Sequence, residues 1–300
     1  MTQRSLLLAL LIGVVSATTT FAQTPATPQT PPAPQTPATP QTLSPPAWTP
    51  GTPWTTTTVL MPANPTADDI PAMMKELTRA KNRLDDWAQL ARYREANAQQ
   101  APAANGEARV LFLGDSITDS WDDPKFGGFF PGKPYINRGI SGQTTPQMLL
   151  RMPADVLAHK PKVLVILAGT NDLSGNTGPA TNEQIEDNIT MIAELATLHG
   201  IKVVLSSILP TSNYHVKPGD PLPPQTVRRP LERIRAVNAW MKQYADAHNH
   251  VYLDYYSATI DAQGMLKAEL SADDLHPNMA GYQIMAPLAE AAIAKALAMK

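Results

Sequence analysis

Four short polar strings in this chain hold the residue types that nucleophilic chemistry needs. They are Gly114-Asp-Ser-Ile-Thr-Asp-Ser120, Asn137-Arg-Gly-Ile-Ser-Gly142, Gly169-Thr-Asn-Asp172 and Ser271-Ala-Asp-Asp-Leu-His-Pro-Asn278. The first offers a hydroxyl at Ser116, and the last an imidazole at His276 with two carboxylates just before it. A serine becomes a nucleophile only when a base takes its proton, a third group orients that base, and hydrogen-bond donors meet the oxyanion. Taken singly, each string has a mundane reading: Gly-Asp-Ser arises by chance, and Gly-Thr-Asn-Asp can merely cap a helix. Of the six histidines, only His276 follows a carboxylate pair in a loop that reaches a helix start. His159, His199, His248 and His250 fall at helix ends or strand starts and read as structural or solvated, while His215 lies in the long Pro-rich loop 211–229.

The elements that must position these strings are legible as an alternation. Short apolar runs at 109–114, 135–140, 162–168, 201–207 and 251–255 read as strands, separated by helical patterns near 145–160, 182–199, 230–248 and 279–298. Near-continuous apolar strands separated by helices indicate a parallel sheet covered on both faces. Ligands in such folds bind at the carboxyl ends of the strands. The first three polar strings follow directly on the first three strands, and the fourth comes after the fifth.

In this order, the strings resemble the four blocks of the SGNH, or GDSL, hydrolase family, from about Arg109 to the C-terminus. Gly114-Asp-Ser-Ile-Thr-Asp-Ser-Trp121 and Asn137-Arg-Gly-Ile-Ser-Gly-Gln-Thr-Thr145 look most like the branch that includes platelet-activating-factor acetylhydrolase catalytic subunits and bacterial acylhydrolases. The resemblance implies an α/β fold of three layers, α/β/α, with a five-stranded parallel sheet of flavodoxin-like type. It implies a serine esterase in which Ser116 is the nucleophile, His276 the general base and later acid, and Asp273 the group that orients it. Asp274 remains the alternative register. Ser116 N–H, Gly142 N–H and the Asn171 side-chain amide are the implied oxyanion donors, with Gly139 competing for the glycine position. Asp115 and Asp119 read as loop-shaping acceptors. Trp121, Phe129 and Phe130, close after the nucleophile, are expected to wall the acyl side of the pocket and favour a short acyl group.

Ahead of this region the composition changes. Only Arg4 is charged before Asp68, and 23–65 is dominated by Pro, Thr, Gln and Ala. Arg4, the apolar run 5–17 and Thr20-Phe-Ala22 read as a signal peptide, 1–22, cleaved after Ala22. Residues 23–67 read as a disordered Pro/Thr/Gln-rich linker. The domain, 68–300, is expected to open with an amphipathic helix over 68–97, its apolar face marked by Ile70, Met73, Met74, Leu77, Leu84, Trp87, Leu90 and Ala91.

Composition and missing motifs narrow the function. A net charge of −2 argues against nucleic acid as the main partner. There is no cysteine for a thiolate site. There is also no Gly-x-Ser-x-Gly elbow, phosphate loop, dinucleotide fingerprint or His-Glu-x-x-His zinc motif. No cofactor or metal is expected. The substrate is expected to be a small-molecule or glycan ester, met in the periplasm or outside the cell, with no stable membrane insertion after signal cleavage. The alternatives are a lysophospholipase or acylhydrolase of the same family and, in a different class, an inactive glycan- or wall-binding module.

Overall fold

The computed structural model describes residues 66–220 and 222–299, all within one compact unit. The expected signal peptide and nearly all of the expected linker lie outside the described residues. In chain order the principal elements are α1 (Ile70–Asp85), α2 (Arg94–Gln99), β1 (Val110–Gly114), α3 (Ser116–Asp119), β2 (Tyr135–Gly139), α4 (Thr145–Arg151), β3 (Val163–Leu167), α5 (Thr170–Leu173), α6 (Asn182–Leu198), β4 (Lys202–Ser206), α7 (Gln225–Arg228), α8 (Leu231–Ala247), β5 (Val251–Leu253), α9 (Tyr255–Thr259) and α10 (Met279–Ala298). All five strands pair in parallel in the order β2-β1-β3-β4-β5. This is the three-layer α/β/α arrangement expected from the sequence.

The strands are apolar on both faces because both faces are covered. Leu111, Leu113, Leu164, Ile166, Val203 and Leu205 point into one cluster, with Met148 of α4, Ile185, Ile189 and Ile192 of α6, and Ile234, Val237 and Met241 of α8. The alternate residues Val110, Phe112, Val163, Val165, Val204, Val251 and Leu253 enter a second cluster with Tyr282, Met285, Ala289 and Ile293 of α10. Leu111, Leu113 and Leu164 are wholly buried, each contributing about 1.5–3 kcal/mol by leaving water. From β1 the chain steps outward to β2, then crosses back to β3 on the other side. The crevice at the carboxyl ends of β1 and β3 is therefore the topological switch point, where such sheets bind ligands.

Two glycines let α3 fold back over the sheet there. A Cβ on Gly114 would lie 2.1 Å from Thr118 Oγ1, and one on its β2 register partner Gly139 would lie 2.1 Å from the Asp119 backbone nitrogen.

The N-terminal helix corrects the expectation of one span over 68–97. The Asp86 carboxylate accepts from the N–H groups of Leu90 (2.7 Å) and Ala91 (2.9 Å), and Gln89 takes φ +55°, so a turn separates α1 from α2. The periodic apolar residues do not form a buried face: Ile70, Met74, Leu77, Leu84, Trp87 and Leu90 are all exposed. The segment 86–99 is nonetheless keyed to the domain by polar contacts. Trp87 and Ala88 carbonyls accept from the Gln147 and Gln143 side chains, and Asn97 contacts Arg138, Asp155 and His159. The helix expected near 145–160 is also shorter than its pattern. After Arg151 it widens into a π turn over Met152–Val156, where Pro153 has no N–H to donate.

Candidate active site

β1 ends at Gly114, and Asp115 caps the short helix that begins at Ser116, its Oδ1 accepting from Ile117 N–H at 2.9 Å. The Tyr282 hydroxyl, on α10, donates to the Ile117 carbonyl at 2.7 Å and holds α3 from the other side. In this setting Ser116 Oγ lies 2.8 Å from His276 Nε2. His276 is carried by the loop before α10, closed by a bridge between Ser271 and Pro277, and ended by Asn278, whose side chain caps α10 through Gly281 N–H at 3.2 Å.

His276 Nδ1 is 2.6 Å from Asp273 Oδ2, while Asp273 Oδ1 accepts from the backbone N–H groups of His276 (2.8 Å) and Leu275 (3.1 Å). A carboxylate can only accept here, so Nδ1 carries the proton and Nε2 presents a lone pair to Ser116. Burial works against ionisation of Asp273. The hydrogen bonds from the His276 ring and backbone and from Leu275 outweigh it and hold the carboxyl well below the usual range. The His276 and Asp273 side chains are 36% and 52% exposed, so water reaches the pair.

Three N–H groups are expected to meet an oxyanion beside Ser116. The Ser116 N–H opens a helix and has no intrahelical partner. Gly142 takes φ +82°, a conformation that favours glycine, and its N–H makes no hydrogen bond among the described residues. The competing Gly139 N–H is spent inside the strand on Asn137 Oδ1 at 2.8 Å. Asp119 Oδ2 accepts from Ser141 N–H (3.1 Å) and Oγ (2.7 Å), tying the Gly142 loop to α3. Asn171 is buried at the start of α5, with Nδ2 donating to the Gln143 carbonyl at 3.0 Å and its second amide N–H left over. Asp172 receives Thr145 N–H and Oγ1–H, the latter at 2.6 Å, which fixes the start of α4 to α5. Burial pushes the Asp172 carboxyl upward, and these bonds only partly offset it.

The two adjacent acids have different partners. Asp274, buried and at φ +67°, accepts from Ser212 Oγ (2.6 Å), Tyr214 N–H (2.9 Å) and His215 Nδ1 (2.9 Å), and so shapes loop 211–215 rather than touching His276. Asp115 is fully buried, which pushes its carboxyl up to about 6 against the pull of the Ile117 N–H and of the Arg229 charge; its Oδ2 has no hydrogen-bond partner among the described residues.

The aromatic residues correct the expectation of an acyl wall. Trp121 and Phe130 are buried in the α10-side cluster, where Trp121 packs 4.8 Å from the Tyr282 ring and Phe130 5.2 Å from Phe112; Phe129 packs at the cluster's edge. A shallow cavity of about 220 Å³ does border Trp121 and Phe130, but its other lining residues are Gly128, Pro131, Lys133, Ala286 and Glu290, not Ser116 or His276.

One neighbour of the site has no motif to announce it. Arg229 follows α7 in the Pro-rich loop, and its buried guanidinium reaches Asn171 Oδ1 at 3.3 Å. Among the described residues, no group of three or more acidic or histidine side chains is placed to hold a metal ion, and no helix is long and apolar enough to cross a membrane.

Comparison with known proteins gives the family. Residues 112–284 match the family described as GDSL-like lipase/acylhydrolase. A GDSL-like lipase from Bacteroides thetaiotaomicron is 36% identical, with a TM-score of 0.62 over 70% of this chain and 100% of that one. An acetylxylan esterase of Geobacillus stearothermophilus is 26% identical over 206 residues, 59% of this chain and 90% of the esterase. The lipoprotein YqeF of Bacillus subtilis, itself uncharacterized, is 38% identical over 78 residues, 25% of this chain and only 32% of its own length. The match over more than half the chain, on the fold and strand-end loops described above, means that the protein belongs to the GDSL-like lipase/acylhydrolase family of carboxylic ester hydrolases.

Proposed function

We propose that the protein is an exported serine esterase that removes short acyl groups, acetyl above all, from carbohydrate through an acyl-serine intermediate. The observation that carries the mechanism is the relay from Ser116 Oγ through His276, at 2.8 Å, to Asp273, at 2.6 Å. Ser116 Oγ attacks the ester carbonyl as His276 Nε2 takes its proton, and Asp273 stabilises the imidazolium that results. Ser116 N–H, Gly142 N–H and Asn171 Nδ2–H receive the oxyanion. The intermediate collapses, the alcohol leaves with the proton from His276, and the acyl group stays on Ser116. Water, activated by the same imidazole, then releases the acid and restores the serine.

The kinship with an acetylxylan esterase along most of that protein's length supports the acetyl and carbohydrate assignment. The N-terminal pattern Arg4, 5–17 and Thr20-Phe-Ala22 supports export. Because Trp121 and Phe130 pack inward, the short-acyl preference rests on that kinship and not on a ring-lined slot.

The test compares wild type with Ser116→Ala on p-nitrophenyl esters from acetate to octanoate, acetylated xylan and lysophosphatidylcholine, with fluorophosphonate labelling alongside. The expected result is serine-dependent release, loss of labelling in the variant and kcat/KM highest at acetate to butyrate. An open apolar groove would add about 0.8 kcal/mol per CH₂. Activity climbing steadily to octanoate therefore replaces the acetylesterase reading with a lysophospholipase one, and labelling that survives in the variant removes Ser116.

A further inference from the structure

We propose that Arg229 is a positioning residue for the oxyanion donor Asn171: its buried guanidinium decides which way the amide faces and polarises the N–H that meets the developing negative charge. The inference rests on the serine-esterase reading, in which Asn171 is such a donor.

Arg229 is 2% exposed, yet its hydrogen-bond partners among the described residues are all neutral: the Thr170 carbonyl at 3.0 Å from Nε, Gln225 Oε1 at 2.5 Å from Nη1, and Asn171 Oδ1 at 3.3 Å from Nη2. Arginine is seldom this deeply buried without a carboxylate, since taking the charge out of water is costly. Burial draws its acidity toward physiological pH, to about 10, and the guanidinium still carries its charge there. That charge also acts at longer range on the Asp115 and Asp273 carboxylates, but the one side chain of the site it reaches by a hydrogen bond is Asn171.

The consequence for Asn171 follows from donor and acceptor chemistry. The Gln143 carbonyl can only accept and the guanidinium can only donate, so a single amide orientation satisfies both, with Nδ2 toward Gln143 and Oδ1 toward Arg229. A flipped amide would set oxygen against oxygen and N–H against N–H. With Oδ1 bound to a cation, electron density shifts from nitrogen to oxygen and the remaining Nδ2–H becomes a stronger donor. Gln143 adjoins Gly142, so the oriented amide sits beside the second donor. An oxyanion exists only during the reaction, so an effect on this donor belongs in kcat and not in KM.

The experiment is a double-mutant cycle on the full-length enzyme with p-nitrophenyl acetate, using Arg229→Met, Asn171→Ala and the pair. Arg229→Met is expected to lower kcat about tenfold or more with KM within about twofold, and Asn171→Ala about 10²–10³-fold. The pair is expected to match Asn171→Ala alone, because Arg229 acts through that amide. Should the Met variant lose its melting transition, Arg229→Lys takes its place in the cycle. A lysine keeps the charge without the fork and is expected to lose about three- to tenfold in kcat, again only while Asn171 is present. A loss confined to KM, or one that adds in full to that of Asn171→Ala, overturns the proposal. Full activity in the Arg229 variants beside an impaired Asn171→Ala removes this inference alone, whereas full activity in Asn171→Ala removes the oxyanion reading and this inference with it.

Discussion

At the scale of single residues, the two adjacent acids show how a one-position difference separates two environments. Asp273 faces the His276 ring and two backbone N–H groups, while Asp274 turns to Ser212, Tyr214 and His215. Asp273→Asn is expected to lower kcat about 10³–10⁴-fold, because an amide no longer enforces the Nδ1–H tautomer. Asp274→Asn should keep kcat within about tenfold and act mainly on the melting temperature, by weakening buried bonds to loop 211–215. The opposite ranking in kcat would exchange the two assignments. Asp115 carries a pH signature. Its folded-state value, about 6, lies above the ordinary carboxylate value of 3.8, so between these the folded state binds more protons than the unfolded one. Its contribution to stability therefore declines as pH rises through that window and stays low above it. Asp115→Asn, which keeps an acceptor for Ile117 N–H, removes this decline. The melting temperature of the variant relative to wild type should climb from about pH 4 to pH 6.5, and a difference flat in pH would show that Asp115 is not the group responsible.

At the scale of elements, the separate strand-end loops of the site are held to one another by side-chain cross-links. Asp119 joins α3 to the Gly142 loop, Asp172 joins α5 to α4, and Tyr282 joins α10 to α3. The N-terminal elements divide along the same line. The large apolar residues of α1 are mostly exposed, whereas 86–99 supplies acceptors to buried donors on Gln143 and Gln147 and a side chain to Arg138. Deleting residues 1–85 should leave kcat/KM on a small ester within about twofold and the melting temperature nearly unchanged. Deleting 1–99 strands buried donors at about 1–3 kcal/mol each and should lower the melting temperature by roughly 5–10 °C. Equal melting temperatures for the two truncations, read by circular dichroism, would show that the 86–99 contacts carry no stability.

At the scale of the whole molecule, the parallel sheet does two jobs with one set of residues. Its period-2 alternation feeds two apolar clusters, and its shared direction delivers the loops after β1, β2 and β3 to one edge. The meeting of Ser116 with His276, 160 positions apart, follows from that shared direction together with α10 packing against the sheet.

The strands, the long helices and the strand-end placement of Ser116, Gly142 and Asn171 were legible in the sequence, because apolar runs and their periodicity are local and both faces of the sheet must be covered. A carboxylate within reach of His276 was legible because Asp273 and Asp274 share its loop, but preferring Asp273 rested on the Asp-x-x-His resemblance, and only the fold separates the two acids. Tertiary structure alone decided the outcomes that depend on what arrives from elsewhere. The rings of Trp121 and Phe130 turned inward because Tyr282 of α10 and Phe112 of β1 offer them apolar surface. The break in the helical pattern over 68–97 is by contrast local: Asp86 captures the N–H groups of Leu90 and Ala91, four and five residues on, which the apolar periodicity does not encode. Arg229, in a Pro-rich loop with no motif, came to lie against Asn171 only through folding, since the burial of a charge is a property of the assembled site and not of the residues beside it in the chain.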